Sequence, residues 1–375
     1  MQTQEMSSRQ AICLMVLFLT GNSALFGINQ WGGRDSWLTL LLAGAFSLLI
    51  VALYARILRL GQKNSFFETL ASLFGKGGGG VVTLLFVLYY LFLSALLMRT
   101  LSEFGRVNSL QNPPYQLIMI LFTLAGIFLS RGGEAIMGRW ALIVFTVFLG
   151  VAIFILATSI QEMKLLNLFP MLRRSPSHLL YSTAWYLSFP FLECVVFLPL
   201  LSRRQNPNEL SHIFRYGILW SGVILLAMLL CNLLLLGEPM LRLLYFQSHS
   251  AVKLLHVGDF LSRMEEIISI VLLLSGLTKF TVCLRAAVEG ISFLLARAEP
   301  QALTAPVGIF SFALSMVVVS NIMDMEHLLN LSPCYSWVFQ LALPALIWGM
   351  LEYKTHKKAT LEEDSSHLPP GPPQS

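Results

Sequence analysis

The sequence predicts an all-α integral membrane protein of about ten transmembrane helices, built as inverted five-helix repeats with helices 1 and 6 broken. Three observations carry that prediction. Hydrophobic residues make up 56% of the 375-residue chain and charged residues only 12%, with a mean hydropathy of +0.71, a balance outside the range of soluble domains. The apolar residues fall in runs that approach the roughly 20 residues needed to cross about 30 Å of hydrocarbon. Two of these runs, five apart, are interrupted: by Thr20-Gly21-Asn22-Ser23 in the first and by Ser188-Phe189-Pro190-Phe191-Leu192-Glu193 in the sixth.

In chain order the runs cover residues 10–28, 37–57, 81–101, 115–129, 137–159, 179–200, 214–236, 260–288, 305–320 and 336–351, the fourth and ninth being short. Five is odd, so a duplicated second half enters the membrane from the opposite side. Residues 10–160 and 178–352 therefore read as the two halves of an inverted repeat within one transmembrane domain, 1–361. With the N-terminus inside, most of the 25 Lys and Arg residues, from Arg9 to Lys358, lie on the inner side, which predicts that both termini are cytoplasmic. The first run is of membrane length and no small-residue cleavage site follows it, so it reads as a span and not as a signal peptide.

Between the second and third runs, residues 65–74 carry apolar side chains at helical spacing and read as a short interfacial helix. The glycines from Gly75 to Gly80 that follow lack the order of a phosphate-binding loop and read as a flexible joint. Residues 237–259 form the longest outer segment and are a candidate lid. Residues 362–375, ending in Leu368-Pro369-Pro370-Gly371-Pro372-Pro373, read as a disordered cytoplasmic tail.

The net charge of +5 sits in loops flanking the membrane, and no soluble domain exists to present it to nucleic acid. The five cysteines have no close partners and the seven histidines lie in loops or at span ends, so neither a disulfide framework nor a metal site is expected. No cofactor fingerprint appears, and no nucleophile stands near a base. An enzyme is not expected.

Chemistry is concentrated at the interruptions. Backbone groups freed at mid-membrane depth need protein, water or a ligand to satisfy them, and paired breaks in the two halves point to a substrate pocket. Gly21 gives backbone freedom there, while Asn22 and Ser23 can replace helix hydrogen bonds. A half-helix resuming at Ser23 would aim its positive end at a carboxylate. The alternative is that small residues simply let helices pack closely. In the sixth run Pro190 offers no N–H and clashes with the carbonyl of Tyr186, a freed acceptor suited to an ammonium group; Ser188 adjoins it.

Two ionisable residues lie within apolar stretches, Glu193 beside the sixth-run break and Lys279 in the eighth run. Each is costly unless paired. Ser275 lies one turn before Lys279 on the same face, with Thr278 adjacent. The Lys279 ammonium can serve as a permanent internal cation paired with Glu193 or with first-span carbonyls, or the pair can be purely structural. Tyr89, Tyr90 and Arg99 of the third run are further candidates for lining the cavity. The candidate substrate-binding set is Gly21, Asn22, Ser23, Tyr90, Ser188, Pro190, Glu193, Ser275, Thr278 and Lys279.

At these residues the chain resembles the spore germination permease family, the B subunits of nutrient germinant receptors within the amino acid, polyamine and organocation transporter superfamily. The resemblance is carried by Ser8-Arg9-Gln10 leading to Gly21, Arg34-Asp35-Ser36-Trp37, Leu101-Ser102-Glu103-Phe104 and Asn167-Leu168-Phe169-Pro170. It continues through the 188–193 element, Gly258-Asp259-Phe260 with Arg263 and Glu265, and Lys279-Phe280. It implies residence in the inner membrane of a spore and work beside A-type and C-type receptor subunits, in contact with membrane lipid. It also implies sensing of a small nutrient such as an amino acid, with an amino acid permease working by alternating access as the alternative. Gly21-Asn22-Ser23 stands where relatives tend to show Gly-Thr-Gly, and Pro113-Pro114 where they show Thr-Pro, so the resemblance does not fix the ligand.

Overall fold

Helices occupy every one of the predicted runs in a computed structural model of the chain, which describes residues 6–26, 32–61, 65–106, 115–172, 174–204, 206–253, 259–296, 298–319 and 322–366. They are α1 (Ser8–Phe26), α2 (Ser36–Leu60), α3 (Phe66–Phe104), α4 (Tyr115–Arg131) and α5 (Gly133–Ser159), then α6 (Pro176–Ser188) with the short α7 (Phe197–Leu201) completing the sixth span. The second half contains α8 (Pro207–Leu241), α9 (Gln247–Lys253), α10 (Asp259–Leu294), α11 (Pro300–Val318), α12 (Ile322–Asn330), α13 (Ser332–Trp337) and α14 (Leu343–Ser366). Among the described residues, eight helical stretches are long and apolar enough to cross a membrane; α1 and the shorter α4 complete the set.

The packing is carried onto itself when each span is exchanged with the one five places along. Thus α2 packs on α8 and α3 on α10, each pair being its own counterpart. The contact of α1 with α8 is matched by that of α6 with α2, and α11 against α3 by α4 against α10. Even the connections correspond. A short helix precedes the third span (66–74, ended by Gly75 at φ 75°) and another, α9, precedes the eighth. An inverted repeat requires such a pattern.

Local chemistry explains the boundaries. Ser65 and Glu68 form a reciprocal capping box at the start of α3, satisfying two otherwise free N–H groups. Gly75 turns the chain through a positive φ before the long part of α3 begins, the conformation that glycine alone adopts without strain. Ser175 caps α6 and Asn206 caps α8, each followed by a proline at a position where no N–H is needed. Burial then sorts the spans. The most apolar stretch of the sixth is 89% buried and that of α5 only 17%, so the sixth span lies in the core and α5 faces lipid.

Three expectations change, the first being the joint read over Gly75 to Gly80: only Gly75 leaves the helical conformation, and the rest of that stretch is helix. The first span is not broken at Thr20-Gly21-Asn22-Ser23; α1 is one helix from Ser8 to Phe26. The Thr20 hydroxyl donates to the Val16 carbonyl at 2.7 Å and the Ser23 hydroxyl to the Leu19 carbonyl at 3.0 Å, so these side chains fold onto an intact helix instead of opening it. The proposed half-helix terminus at Ser23 therefore does not exist. At the C-terminal end, α14 continues to Ser366, so the tail expected from 362 begins as helix; residues 367–375 lie outside the described residues.

Candidate functional site

The sixth span breaks where Pro190 demands it. α6 ends at Ser188, Phe189 is extended (φ −130°, ψ 116°), and the chain resumes as a 3-10 turn over Phe191–Val196 before α7. Ending a helix in the protein interior leaves carbonyls without partners. The Ser188 carbonyl accepts from Gln340 Nε2 at 3.1 Å, and the Ser188 hydroxyl donates to Gln340 Oε1 at 3.2 Å. Gln340 Nε2 also donates to the Tyr89 hydroxyl at 2.9 Å, and the Tyr54 hydroxyl donates to the Gln340 carbonyl. Gln340 is fully buried and sits in a π-helical turn, Val338–Ala342, a wide turn of the kind that recurs at functional sites. It stitches the broken sixth span to α3, α2 and the tenth span.

Three residues past Pro190, Glu193 receives the Lys279 ammonium in a direct ion pair, with only 8% and 3% of the two side chains exposed. The ammonium also lies 5.0 Å from the centre of the Phe18 ring and 5.1 Å from that of Phe189, within the range of cation–π attraction. One cation thus ties the first, sixth and eighth spans together.

The pair forms part of the wall of a cavity shared by Asn22, Ser188, Phe189, Leu93, Leu96 and Leu97, and closed by Leu329, Ser332, Tyr335 and Ser336. Its volume is about 10 Å³, room for about one water molecule. The site is therefore shut in this conformation. Asn22 Oδ1 and Ser332 Oγ, on residues 5% and 4% exposed, have no hydrogen-bond partner among the described residues. Buried polar atoms of that kind are costly and uncommon.

Of the ten candidates from the sequence, Asn22, Ser188, Glu193 and Lys279 meet at this cavity, with Pro190 at the break beside it. Gly21 faces Ser275 instead, and a Cβ built there would lie 2.9 Å from the Ser275 backbone. Ser23 and Ser275 spend their hydroxyls on the Leu19 and Leu272 carbonyls. Thr278 donates to Leu274 and accepts from Trp140 Nε1 on α5, at 3.0 Å. Tyr90 is buried beside Phe86 and Tyr89, off the cavity wall. Sequence reasoning missed the tenth-span residues Ser332, Tyr335, Ser336 and Gln340; an amide alone in an apolar stretch was the available signal for the last. It named Glu103 only within the family resemblance and not as an ion-pair centre, yet Glu103 takes Arg99 at 2.7 Å and Arg106 at 2.9 Å at the end of α3. In the loops on one side of the bundle Glu238 gathers Arg34, Arg174 and Arg242, while residues 254–258 of the candidate lid lie outside the described residues.

A family model described as spore germination protein matches residues 5–322. The chain belongs to that spore germination permease family. It is 24% identical over 368 residues to spore germination protein KB of Bacillus subtilis (strain 168), covering 96% of this chain and 97% of that protein. Spore germination protein A2 of the same organism is 25% identical over 66% of this chain and 68% of its own length. Among solved structures, the nucleobase-cation-symport-1 family transporter MHP1, in a closed conformation with bromovinylhydantoin bound, superposes with a TM-score of 0.68 at 11% identity, over 93% of this chain and 80% of that one. MhsT in complex with L-phenylalanine gives 0.62 at 12% identity, over 92% and 89%. These likenesses establish the inverted-repeat transporter fold. The chain is thus a multi-pass membrane protein of the spore germination permease family with a transporter-type fold.

Proposed function

We propose that this chain is the membrane subunit of a nutrient germinant receptor, binding a small zwitterion, an amino acid by class, between the broken sixth span and the first, third, eighth and tenth. The observation that carries the reading is the buried Lys279–Glu193 pair on the wall of a closed cavity, beside the unpartnered Asn22 and Ser332 oxygens. A zwitterion entering there presents a carboxylate to Lys279 and an ammonium to Glu193. The two protein charges then exchange one partner for another without either being left bare, which is the condition for burying charge at tolerable cost. Asn22 Oδ1 adds an acceptor for the ammonium.

A cavity of about 10 Å³ holds no amino acid, so binding requires an open form. The ligand shifts the balance between the two by the difference in its affinity for them. Movement of α6 against α3 and the tenth span, with Gln340 as the joint, is the signal passed on. In this reading the chain sits in the inner spore membrane, both termini cytoplasmic, and hands the signal to A-type and C-type receptor subunits.

Binding of an amino acid panel to the purified chain tests the proposal. Saturable binding that is lost in Glu193→Gln and weakened in Asn22→Ala is the expected result; affinity unchanged in both variants removes the site. The fold suits an amino acid permease equally well. Uptake into liposomes by the isolated chain separates the readings, since sustained flux without partners means transport and binding without flux means sensing.

A further inference from the structure

The face of α1 turned away from the nutrient cavity borders a second, quite different hollow. Ile12, Cys13 and Val16 of α1 form one wall, Phe145 and Ala152 of α5 another, and Trp220 and Ala227 of α8 the third, enclosing a groove of about 580 Å³. Its lining is apolar apart from one residue, Arg9, at the end where α1 begins. Arg9 is exposed, and no salt bridge engages it among the described residues. No acidic side chain lines the groove. Ala152, Leu156 and Met228 also line a smaller hollow between α5, α8, α9 and α10, whose wall includes Asn232 and Ser248.

We propose that this groove is a binding site for one anionic phospholipid, with an acyl chain along the α1–α5–α8 walls and the phosphate on Arg9. An apolar trough open on the lipid-facing flank of a membrane protein accepts hydrocarbon and not water. Its shape alone does not select a lipid. The single guanidinium at its mouth, without a salt bridge among the described residues, does, because a planar guanidinium matches phosphate and a basic residue near the membrane surface favours anionic headgroups. The small side chains of Ala152 and Ala227 leave the room that larger ones would fill. Because α1 is unbroken, Val16 on the groove and Phe18 and Asn22 at the ion pair and nutrient cavity lie on one rigid rod. A chain lodged in the groove braces that rod against α5 and α8 and so favours the shut cavity.

The test needs no nutrient, and its outcome is independent of the germinant reading. The full chain is purified in detergent with equal phosphatidylglycerol and phosphatidylcholine, and retained lipid is counted by native mass spectrometry. The wild type keeps phosphatidylglycerol in preference. Arg9→Gln reduces that preference about fivefold, the effect of one surface charge, whereas Arg56→Gln, a control whose guanidinium is held by Glu352 at 2.8 Å and lines no apolar groove, does not. Ala227→Phe and Ala152→Leu, which fill the groove, reduce retention of both lipids, with unfolding in lipid-free detergent as the check on folding. An unchanged lipid ratio in Arg9→Gln, an equal loss in Arg56→Gln, or full retention in whichever groove-filling variant folds overturns the proposal.

Discussion

The first and sixth spans occupy equivalent places in the two halves of the repeat, yet one is a continuous helix and the other is broken. The difference lies in what each sequence compels. Pro190 removes an N–H and excludes the helical conformation from its predecessor, so the sixth span has no intact alternative. Gly21, Asn22 and Ser23 merely permit an opening. In the first span that permission is unused: the hydroxyls bond back to their own helix and Gly21 lets α1 approach the backbone of α10 at Ser275. The asymmetry assigns rigidity to α1 and the flexible joint to the sixth span, with Lys279 connecting the two through Phe18, Phe189 and Glu193.

Substitutions in each region sharpen this contrast. The largest effect belongs to the ion pair. Lys279→Met or Glu193→Gln alone leaves the other charge buried and unpaired, and thermal unfolding in detergent should show a loss of about 3–5 kcal/mol. Combining the two should recover most of it; a double variant no better than the singles would mean that the pair does not act as a unit. Next comes Gln340→Leu, which strips the Ser188 carbonyl and the Tyr89 hydroxyl of a partner. It should cost about 1–3 kcal/mol and increase protease or hydrogen-exchange access at residues 188–193.

Gly21→Val tests the first span. Its side chain meets the Ser275 backbone, and overpacking of this kind costs about 1–3 kcal/mol, at the lower end if α10 can yield. A neutral result would show that the close approach of α1 to α10 is unimportant. The smallest effect is expected from Ser23→Ala, below about 0.5 kcal/mol, since a hydroxyl bonded to the preceding turn contributes little to a helix that is already formed. A large loss there would mean that the Ser23 hydroxyl does more than bond its own helical turn.

Much of this molecule is legible in its sequence, and the limits are physical. Span positions follow from run length and hydropathy because lipid leaves no other use for such runs. A pairing of Glu193 with Lys279 could be named in advance beside first-span carbonyls as the other option, since two isolated charges in apolar helices have few ways to be satisfied. The cavity's tenth-span wall was not legible. Ser332, Tyr335 and Ser336 are uncharged and of ordinary span composition, and only tertiary packing brings them to α3 and α6. Tyr89 and Tyr90 show how little separates such choices. Neighbouring residues point about 100° apart on a helix, and it is Tyr89 that reaches Gln340.

The short helix before Gly75 has a mechanical meaning. Phe66 rests edge-on against Phe86 of the third span, Phe67 stacks on Phe293 of the eighth at 6.2 Å, and Lys354 of the last helix donates to the Ser72 carbonyl at 3.1 Å. Three spans thus grip one small lever, and the glycine hinge leaves it free to pivot relative to the rod behind it. Any sliding of the eighth span along the third would pull on Phe67 through Phe293, and the helix before Gly75 would tilt with it.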